Sequence, residues 1–272
     1  HAMTMMAMAL AVLCGSLSVA HGWLGAAPGV AGLRAVALRV GPVPGGGDAS
    51  PRLFLDTADI SEWRRHIGGS GMYYGITTNP AILKACSVPC TYERLEALAM
   101  QAFDTGVEEL MLQAWGETRE DMVRSGRRLA GFDRRIVVKL PCTDQGFAAA
   151  KELASVGVRL CMTVCYNRKQ AFAAAAIGAE YVAPYLGRMT DSGLDGVDEC
   201  EAMVELIRGM GGTTRVLVAS IRSADQLAEL ARRGCNTFTF SPAVADQLLS
   251  EPLTARDSAE FEQAARDMEA PY

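Results

Sequence analysis

Eight short runs rich in β-branched and aromatic residues, spaced by stretches of helical periodicity, leave this chain very few folds. The runs are Leu53 to Thr57, Tyr73 to Thr78, Glu109 to Ala114, Arg135 to Pro141, Arg159 to Cys165, Tyr181 to Leu186, Arg215 to Ser220 and Thr237 to Ser241. Between them lie amphipathic segments, among them Thr91 to Phe103, Glu117 to Ala130, Asp144 to Ser155, Asn167 to Ala176, Val197 to Met210 and Ser223 to Arg233. Several end on a glycine suited to cap a helix: Gly106, Gly131, Gly157, Gly178, Gly211 and Gly234. Strand and helix alternating eight times predict an α/β protein, a closed (β/α)8 TIM barrel of compact size, since an open parallel sheet seldom needs eight strands. A doubly wound open sheet is the alternative. It is weakened because no G-x-G-x-x-G loop follows any run. Asp257 to Met268 reads as an extra C-terminal helix.

The fourth run sets a lysine inside an apolar stretch, Ile136-Val137-Val138-Lys139-Leu140-Pro141. Only four lysines occur in the chain, and the other three, Lys84, Lys151 and Lys169, sit in segments that read as helix surface or helix ends. A buried ammonium is unfavourable, so Lys139 is either paired with a carboxylate or kept as a neutral amine. A neutral amine attacks carbonyls, the chemistry of a Schiff-base enzyme. A lysine at the end of a strand, reaching past it to solvent, is the competing reading.

The first 50 residues read as something other than barrel. No acidic residue occurs before Asp48, Met5 to Val19 is almost wholly apolar, and small residues follow at Ser18-Val19-Ala20. The Ala/Gly-rich basic stretch Trp23 to Val40 and the Gly/Pro segment Pro42 to Gly47 come next. A signal-like run followed by a transit-like run resembles the bipartite leader of algal-type plastid proteins, with a secreted or cytoplasmic protein as the alternative. The expected division is therefore a leader and linker over residues 1–50 and a catalytic barrel over 51–272. Without the leader 24 basic and 30 acidic side chains remain, a balance that disfavours nucleic acid as a partner. The eight cysteines form no CxxC pair and read as mostly buried free thiols. Only His66 lies outside the leader, in a Trp63-Arg64-Arg65-His66 setting that reads as helix surface, which argues against a histidine-rich zinc site or a Ser-His-Asp triad.

In a barrel of this kind the working residues stand where strands end and in the loops beyond. The polar residues there are Asp56, Asp59, Thr77, Thr78, Asn79, Gln113, Lys139, Thr143, Thr163, Tyr166, Tyr185, Arg188, Ser220, Arg222 and Ser241. Taken singly, each has an ordinary structural use: Asp59 and Asn79 can cap the helices that follow them, and a tyrosine can simply pack. Together they offer one amine, a carboxylate, several hydroxyls, amides and two guanidinium groups around one opening.

Five motifs in order make the chain resemble the transaldolase and fructose-6-phosphate aldolase family of class I, Schiff-base enzymes. They are Leu55-Asp56-Thr57-Ala58-Asp59, Gly75-Ile76-Thr77-Thr78-Asn79-Pro80, Val137-Val138-Lys139-Leu140-Pro141 with Thr143, Gly178 to Tyr185 with Gly187-Arg188, and Ala219-Ser220-Ile221-Arg222. The resemblance implies a (β/α)8 barrel in which Lys139 is the Schiff-base lysine and Asp56 the proton-transfer carboxylate. It gives Thr77, Thr78, Asn79 and Ser220 to the bound dihydroxyacetone unit and its surroundings, Arg188, Ser220 and Arg222 to the phosphate, and Gln113, Thr163 and Tyr185 to a catalytic water. It implies no metal or organic cofactor, a sugar phosphate substrate, no membrane partner once the leader is gone, and a homo-oligomer of five or ten subunits. Gln113 and Tyr185 are similar to the aldolase branch, which would cleave fructose 6-phosphate, whereas Gly187-Arg188-Met189 and Ser220-Ile221-Arg222 are closer to small transaldolases. On these residues the expected activity is fructose-6-phosphate aldolase, with transaldolase as the alternative. A pyruvate-dependent Schiff-base lyase would share Lys139 without needing Asp56, Asn79 or the arginines; a silent barrel acting as a binding module would not be expected to keep both Lys139 and Asp56.

Overall fold

The computed structural model describes residues 50–270, and in it the eight runs become eight parallel strands closed into a barrel in chain order. They are β1 (Arg52–Asp56), β2 (Tyr73–Thr77), β3 (Glu109–Gln113), β4 (Ile136–Pro141), β5 (Leu160–Cys165), β6 (Tyr181–Pro184), β7 (Arg215–Ile221) and β8 (Thr237–Phe240). The helices are α1 (Ile60–Ser70), α2 (Pro80–Ala85), α3 (Tyr92–Asp104), α4 (Arg119–Ala130), α5 (Asp144–Ser155), α6 (Arg168–Ala176), α7 (Leu186–Asp191), α8 (Gly196–Gly209), α9 (Ala224–Arg232), α10 (Pro242–Leu248) and α11 (Pro252–Asp267). The barrel and its extra helix match the expectation from the sequence. Two boundaries differ. The sixth strand stops at Pro184 and Leu186 already begins α7; the last helix starts at Pro252, because the Glu251 side chain accepts the Leu253 N–H and proline suits the first helical position. The leader read over residues 1–50 lies, apart from Ser50, outside the described residues.

Side chains alternate between the two faces of each strand, so each strand feeds two cores. Phe54, Met111, Val137, Cys161, Tyr181, Ala183 and Leu217 fill the barrel interior. Their neighbours Leu55, Leu110, Leu112, Val138, Leu160, Met162, Val182 and Val218 face outward and pack under the helices. This is why the apolar runs are continuous rather than alternating: both faces are buried. Gly75 leaves room inside, since a Cβ there would lie 2.6 Å from the Phe54 ring and 2.5 Å from the Glu109 carbonyl oxygen.

At the end where the strands begin, the barrel is closed by charge. Glu109 is 1% exposed, accepts hydrogen bonds from Tyr181 Oη (2.8 Å), Tyr74 Oη (3.3 Å) and Arg159, and lies 3.6 Å from Arg52 Nη1. Arg159 also donates to both oxygens of Glu180, at 2.8 and 2.6 Å. Burial and the neighbouring Glu109 carboxylate push the Tyr181 hydroxyl far above the ordinary phenol range, so it stays a donor. Removing one member of a buried ion pair leaves the others desolvated and unpaired, typically a loss of about 3–5 kcal/mol. Glu109→Ala is therefore expected to lower the urea unfolding free energy by about that amount, while Glu180→Ala, at a more exposed site, has a smaller effect.

Among the described residues no helix is long and apolar enough to cross a membrane. All seven of their cysteines are free, four of them buried. His66 is less exposed than its sequence setting implies: it is packed edge-on to Tyr73 and lies within 3.4 Å of Glu62 and 3.6 Å of Asp246.

Candidate active site

At the opposite end, where the strands finish, a cavity of about 300 Å³ opens above the inner core. Asp56, Asn79, Lys139, Tyr185, Arg188 and Ser220 line it, together with the apolar Ile82, Leu217 and Ala219. Lys139, the fourth residue of β4, is 4% exposed, and β3 and β5 flank it with Gln113 and Cys161 in register. Its Nζ donates to the Thr78 carbonyl oxygen at 2.9 Å. The other three lysines are exposed. A strand-end lysine reaching to solvent is thereby excluded.

Asp56, the last residue of β1, is oriented by a chain of hydroxyls. Thr77 Oγ1 donates to Asp56 Oδ1 at 2.6 Å and is itself in hydrogen-bond contact with Thr239 Oγ1. Because Thr77 has a single proton and gives it to Asp56, Thr239 must donate to Thr77. Burial raises the Asp56 pKa from its ordinary value, opposed by the positive charge of Lys139 and by the Thr77 hydrogen bond. A carboxyl so placed beside an amine is suited to take a proton and return it.

Asn79 serves two ends. Its Oδ1 caps α2 by accepting the N–H groups of Ala81 (2.9 Å) and Ile82 (3.0 Å), which fixes the carboxamide at the cavity wall. Tyr185 directs its hydroxyl to Thr163 Oγ1 at 2.9 Å, packs edge-on to Tyr166 and carries the Arg188 guanidinium 4.9 Å above its ring centroid. Ser220 stands at a bulge on β7, where Ala219 and Ser220, between the pairs Val218–Phe238 and Ile221–Phe240, oppose Thr239 alone. Its φ of 60° is a left-handed conformation that non-glycine residues rarely hold, and it brings Ser220 to the cavity. Gly187 lets α7 approach that bulge: a Cβ at position 187 would lie 2.6 Å from the Ser220 carbonyl oxygen and 2.8 Å from Arg222 Nε.

Of the eleven site residues read from the sequence, six line the cavity and four stand directly behind it. Thr77 backs Asp56, Thr78 backs Lys139 through its carbonyl while its hydroxyl donates to the Met111 carbonyl (3.2 Å), Thr163 backs Tyr185, and Gln113 neighbours Lys139. Arg222 lies outside the lining. Its two Nη atoms grip the Asp191 carboxylate, one at 2.7 Å, which holds that carboxyl below its ordinary range. Asp59, Thr143 and Asn167 are helix caps. Thr239 was not among the residues singled out from the sequence, although the alternation Thr237-Phe238-Thr239-Phe240 marks it as inward-facing. Among the described residues no cluster of three His, Cys, Asp or Glu side chains is placed to hold a metal ion.

Residues 53–271 match the family described as transaldolase/fructose-6-phosphate aldolase. The chain is similar to a probable transaldolase of Thermus thermophilus, 37% identical over 210 residues that cover 74% of this chain and 92% of that one. A probable transaldolase of Rhodospirillum centenum is 34% identical over 211 residues, covering 77% and 89%. Among solved structures, a flavocytochrome b2 variant superposes with a TM-score of 0.51 at 10% identity, over 72% of this chain and 58% of that one, a likeness of fold alone.

Proposed function

Because the chain belongs to the transaldolase/fructose-6-phosphate aldolase family, and is thus an enzyme of class I aldolase and transaldolase type, we propose that it moves a dihydroxyacetone unit between sugar phosphates through a Schiff base on Lys139. The observation that carries this reading is the sharing of one cavity by a buried amine, a desolvated carboxyl and an arginine. The unprotonated amine of Lys139 attacks C2 of a ketose phosphate such as fructose 6-phosphate, and loss of water gives an iminium. Asp56 takes the proton of the C4 hydroxyl, the C3–C4 electron pair flows into the iminium, and glyceraldehyde 3-phosphate leaves. The lysine-bound enamine then attacks the carbonyl carbon of an acceptor aldehyde such as erythrose 4-phosphate. Hydrolysis of the new imine frees the amine. Arg188 and Ser220 supply donors for the phosphate, and Arg222 joins them by exchanging Asp191 for phosphate oxygens.

For the branch within the family we take transaldolase over the aldolase expected from Gln113 and Tyr185, because the curated relatives carry that name. The aldolase reading keeps one specific support, the Tyr185 hydroxyl on Thr163, which suits it to protonate the enamine or hold a water. Release of glyceraldehyde 3-phosphate from fructose 6-phosphate separates the two. A transaldolase releases it only when erythrose 4-phosphate is present; steady release without the acceptor would establish the aldolase. Tyr185→Phe is expected to reduce any acceptor-independent release by a factor of about 10² while leaving transfer largely intact, as measured in the same assay.

We also read the chain as a ring-like homo-oligomer of five or ten subunits. Helix α11 buries none of its residues within the subunit and leaves Leu253 and Phe261 exposed, as it does Met268 at its C-terminal cap. Sedimentation of the full chain and of a chain ending at Ser250 checks this: loss of α11 is expected to yield smaller species.

A further inference from the structure

A second bulge interrupts the barrel on β5, and the cavity makes no use of it. Between the pairs Met162–Val182 and Cys165–Pro184, two residues, Thr163 and Val164, oppose one, Ala183. The inserted residue is Val164, which holds φ at 58° although it is β-branched, and leaves its side chain 36% exposed. On β7 the corresponding distortion delivers Ser220 to the cavity; Val164 lines no part of it. What the insertion changes is the face on which the next residue falls. Met162 faces outward and Thr163 inward, so a regular strand would turn residue 165 inward. The bulge returns Cys165 to the outer core, where it is fully buried.

There it meets a second thiol. Cys142 follows Pro141, which is in register with Thr163 across the β4 and β5 pair, and its N–H donates to the Thr163 carbonyl at 2.8 Å. Cys142 packs against the same outer core but is partly exposed. The two thiols lie close enough to perturb each other, and Cys165 Sγ donates to the Asn167 carbonyl at 3.6 Å. With Pro141 opposite Thr163, Cys142 falls beside Val164 and one residue short of Cys165; a strand spacing of about 4.8 Å and a rise of about 3.3 Å per residue put the two Cα atoms about 6 Å apart, within the range a disulfide spans.

We propose that Cys142 and Cys165 form a thiol–disulfide modification site that, when oxidised by a low-molecular-weight disulfide, ties β4 to β5 and slows the catalytic centre. Cys142 is the partly exposed member, the one a reagent reaches. It gives its proton to water, and its sulfur attacks one reagent sulfur, breaking the reagent's S–S bond and expelling a thiolate. The expelled thiolate takes the Cys165 proton. Cys165 then attacks the Cys142 sulfur of the mixed disulfide and expels the second thiolate, so two protein thiols are oxidised while one reagent disulfide is reduced to two thiols. Thr163 sits between the two cysteines. Its carbonyl accepts from Cys142 and its hydroxyl holds Tyr185, and Lys139, on β4, is three residues before Cys142, which directly follows that strand. Drawing the strand ends together shifts both groups, and misplacing reacting groups by about 1 Å costs up to about 10²-fold in rate.

The test treats the reduced full chain with oxidised glutathione and maps its peptides without reduction by mass spectrometry. A cross-linked Cys142–Cys165 peptide is expected as the main product, with kcat for transfer down about 10–10²-fold, KM little changed, and full recovery in dithiothreitol. Cys142→Ser is expected to keep parental turnover and to resist the reagent, whereas Cys90→Ser, which removes the one exposed thiol among the described residues, is inactivated like the parent. Glutathione found only on Cys90, or the cross-link formed without loss of kcat, would overturn the proposal. The effect on turnover rests on the role given to Lys139; the cross-link does not. A chain with no transfer activity in the reduced state would count against the Lys139 reading while leaving the bond to be scored by mapping alone.

Discussion

Lys139→Met is expected to lower turnover of fructose 6-phosphate by on the order of 10⁵-fold or more, as removal of a covalent nucleophile does elsewhere, with little change in fold. The substitution keeps the length of the side chain and removes a polar nitrogen that has one hydrogen bond, to the Thr78 carbonyl. The surroundings, Met111, Val137 and Cys161 below it, accept an apolar tip. No other amine can take over, because Lys84, Lys151 and Lys169 are exposed on helices α2, α5 and α6, outside the cavity. Loss of activity with an unchanged circular dichroism spectrum is the expected pattern; retention of more than a trace would remove Lys139 from the mechanism.

Asp56→Asn is expected to lower kcat by about 10²–10⁴-fold, the usual share of a positioned general base, and to alter the pH profile in a defined direction. Asp56 accepts the C4 hydroxyl proton only when ionised. Burial raises its pKa, so the acid limb of kcat/KM in the parent lies above the ordinary carboxylate range, with activity rising as pH rises through it. The asparagine variant has no group titrating there and loses that limb. Stability moves the other way. A carboxyl whose folded pKa is raised stabilises the fold when protonated, and that contribution is lost as pH rises through the folded value. Asparagine is neutral throughout and its Oδ1 still accepts from Thr77, so the variant is expected to melt no lower than the parent at neutral pH. A variant that is inactive and also markedly less stable would mean that Asp56 acts chiefly in holding the fold.

Most of the barrel was legible because both strand faces are buried, which makes the apolar runs continuous and their ends easy to find. The same rule made the mouth residues legible: Asp56, Asn79 and Tyr185 stand at or just past the ends of their runs, and Lys139 is marked as a lysine set inside one. What stayed hidden depends on contacts between distant strands. Nothing near Thr239 in sequence reveals that its partner is Thr77 on the strand two places away, or that the pair steers Asp56. Arg222 reads as a phosphate ligand in its motif, yet the carboxylate of Asp191, at the far end of a short helix that follows the expected strand end, holds it. The short helix α7 escaped notice for the same reason, since Leu186 extends an apolar run that the backbone has already left. The bulge at Val164 has no marker of its own, because valine in a strand is ordinary and only its backbone angle is not.

The most direct measurement is reduction of the covalent intermediate in place. The full chain is mixed with fructose 6-phosphate, treated with sodium borohydride, digested and mapped by mass spectrometry. A reduced three-carbon dihydroxyacetone adduct on the peptide containing Lys139, and its absence from the Lys139→Met chain, is the predicted result. An adduct on another lysine, or full turnover with no trapped adduct at all, would contradict a Schiff base at Lys139.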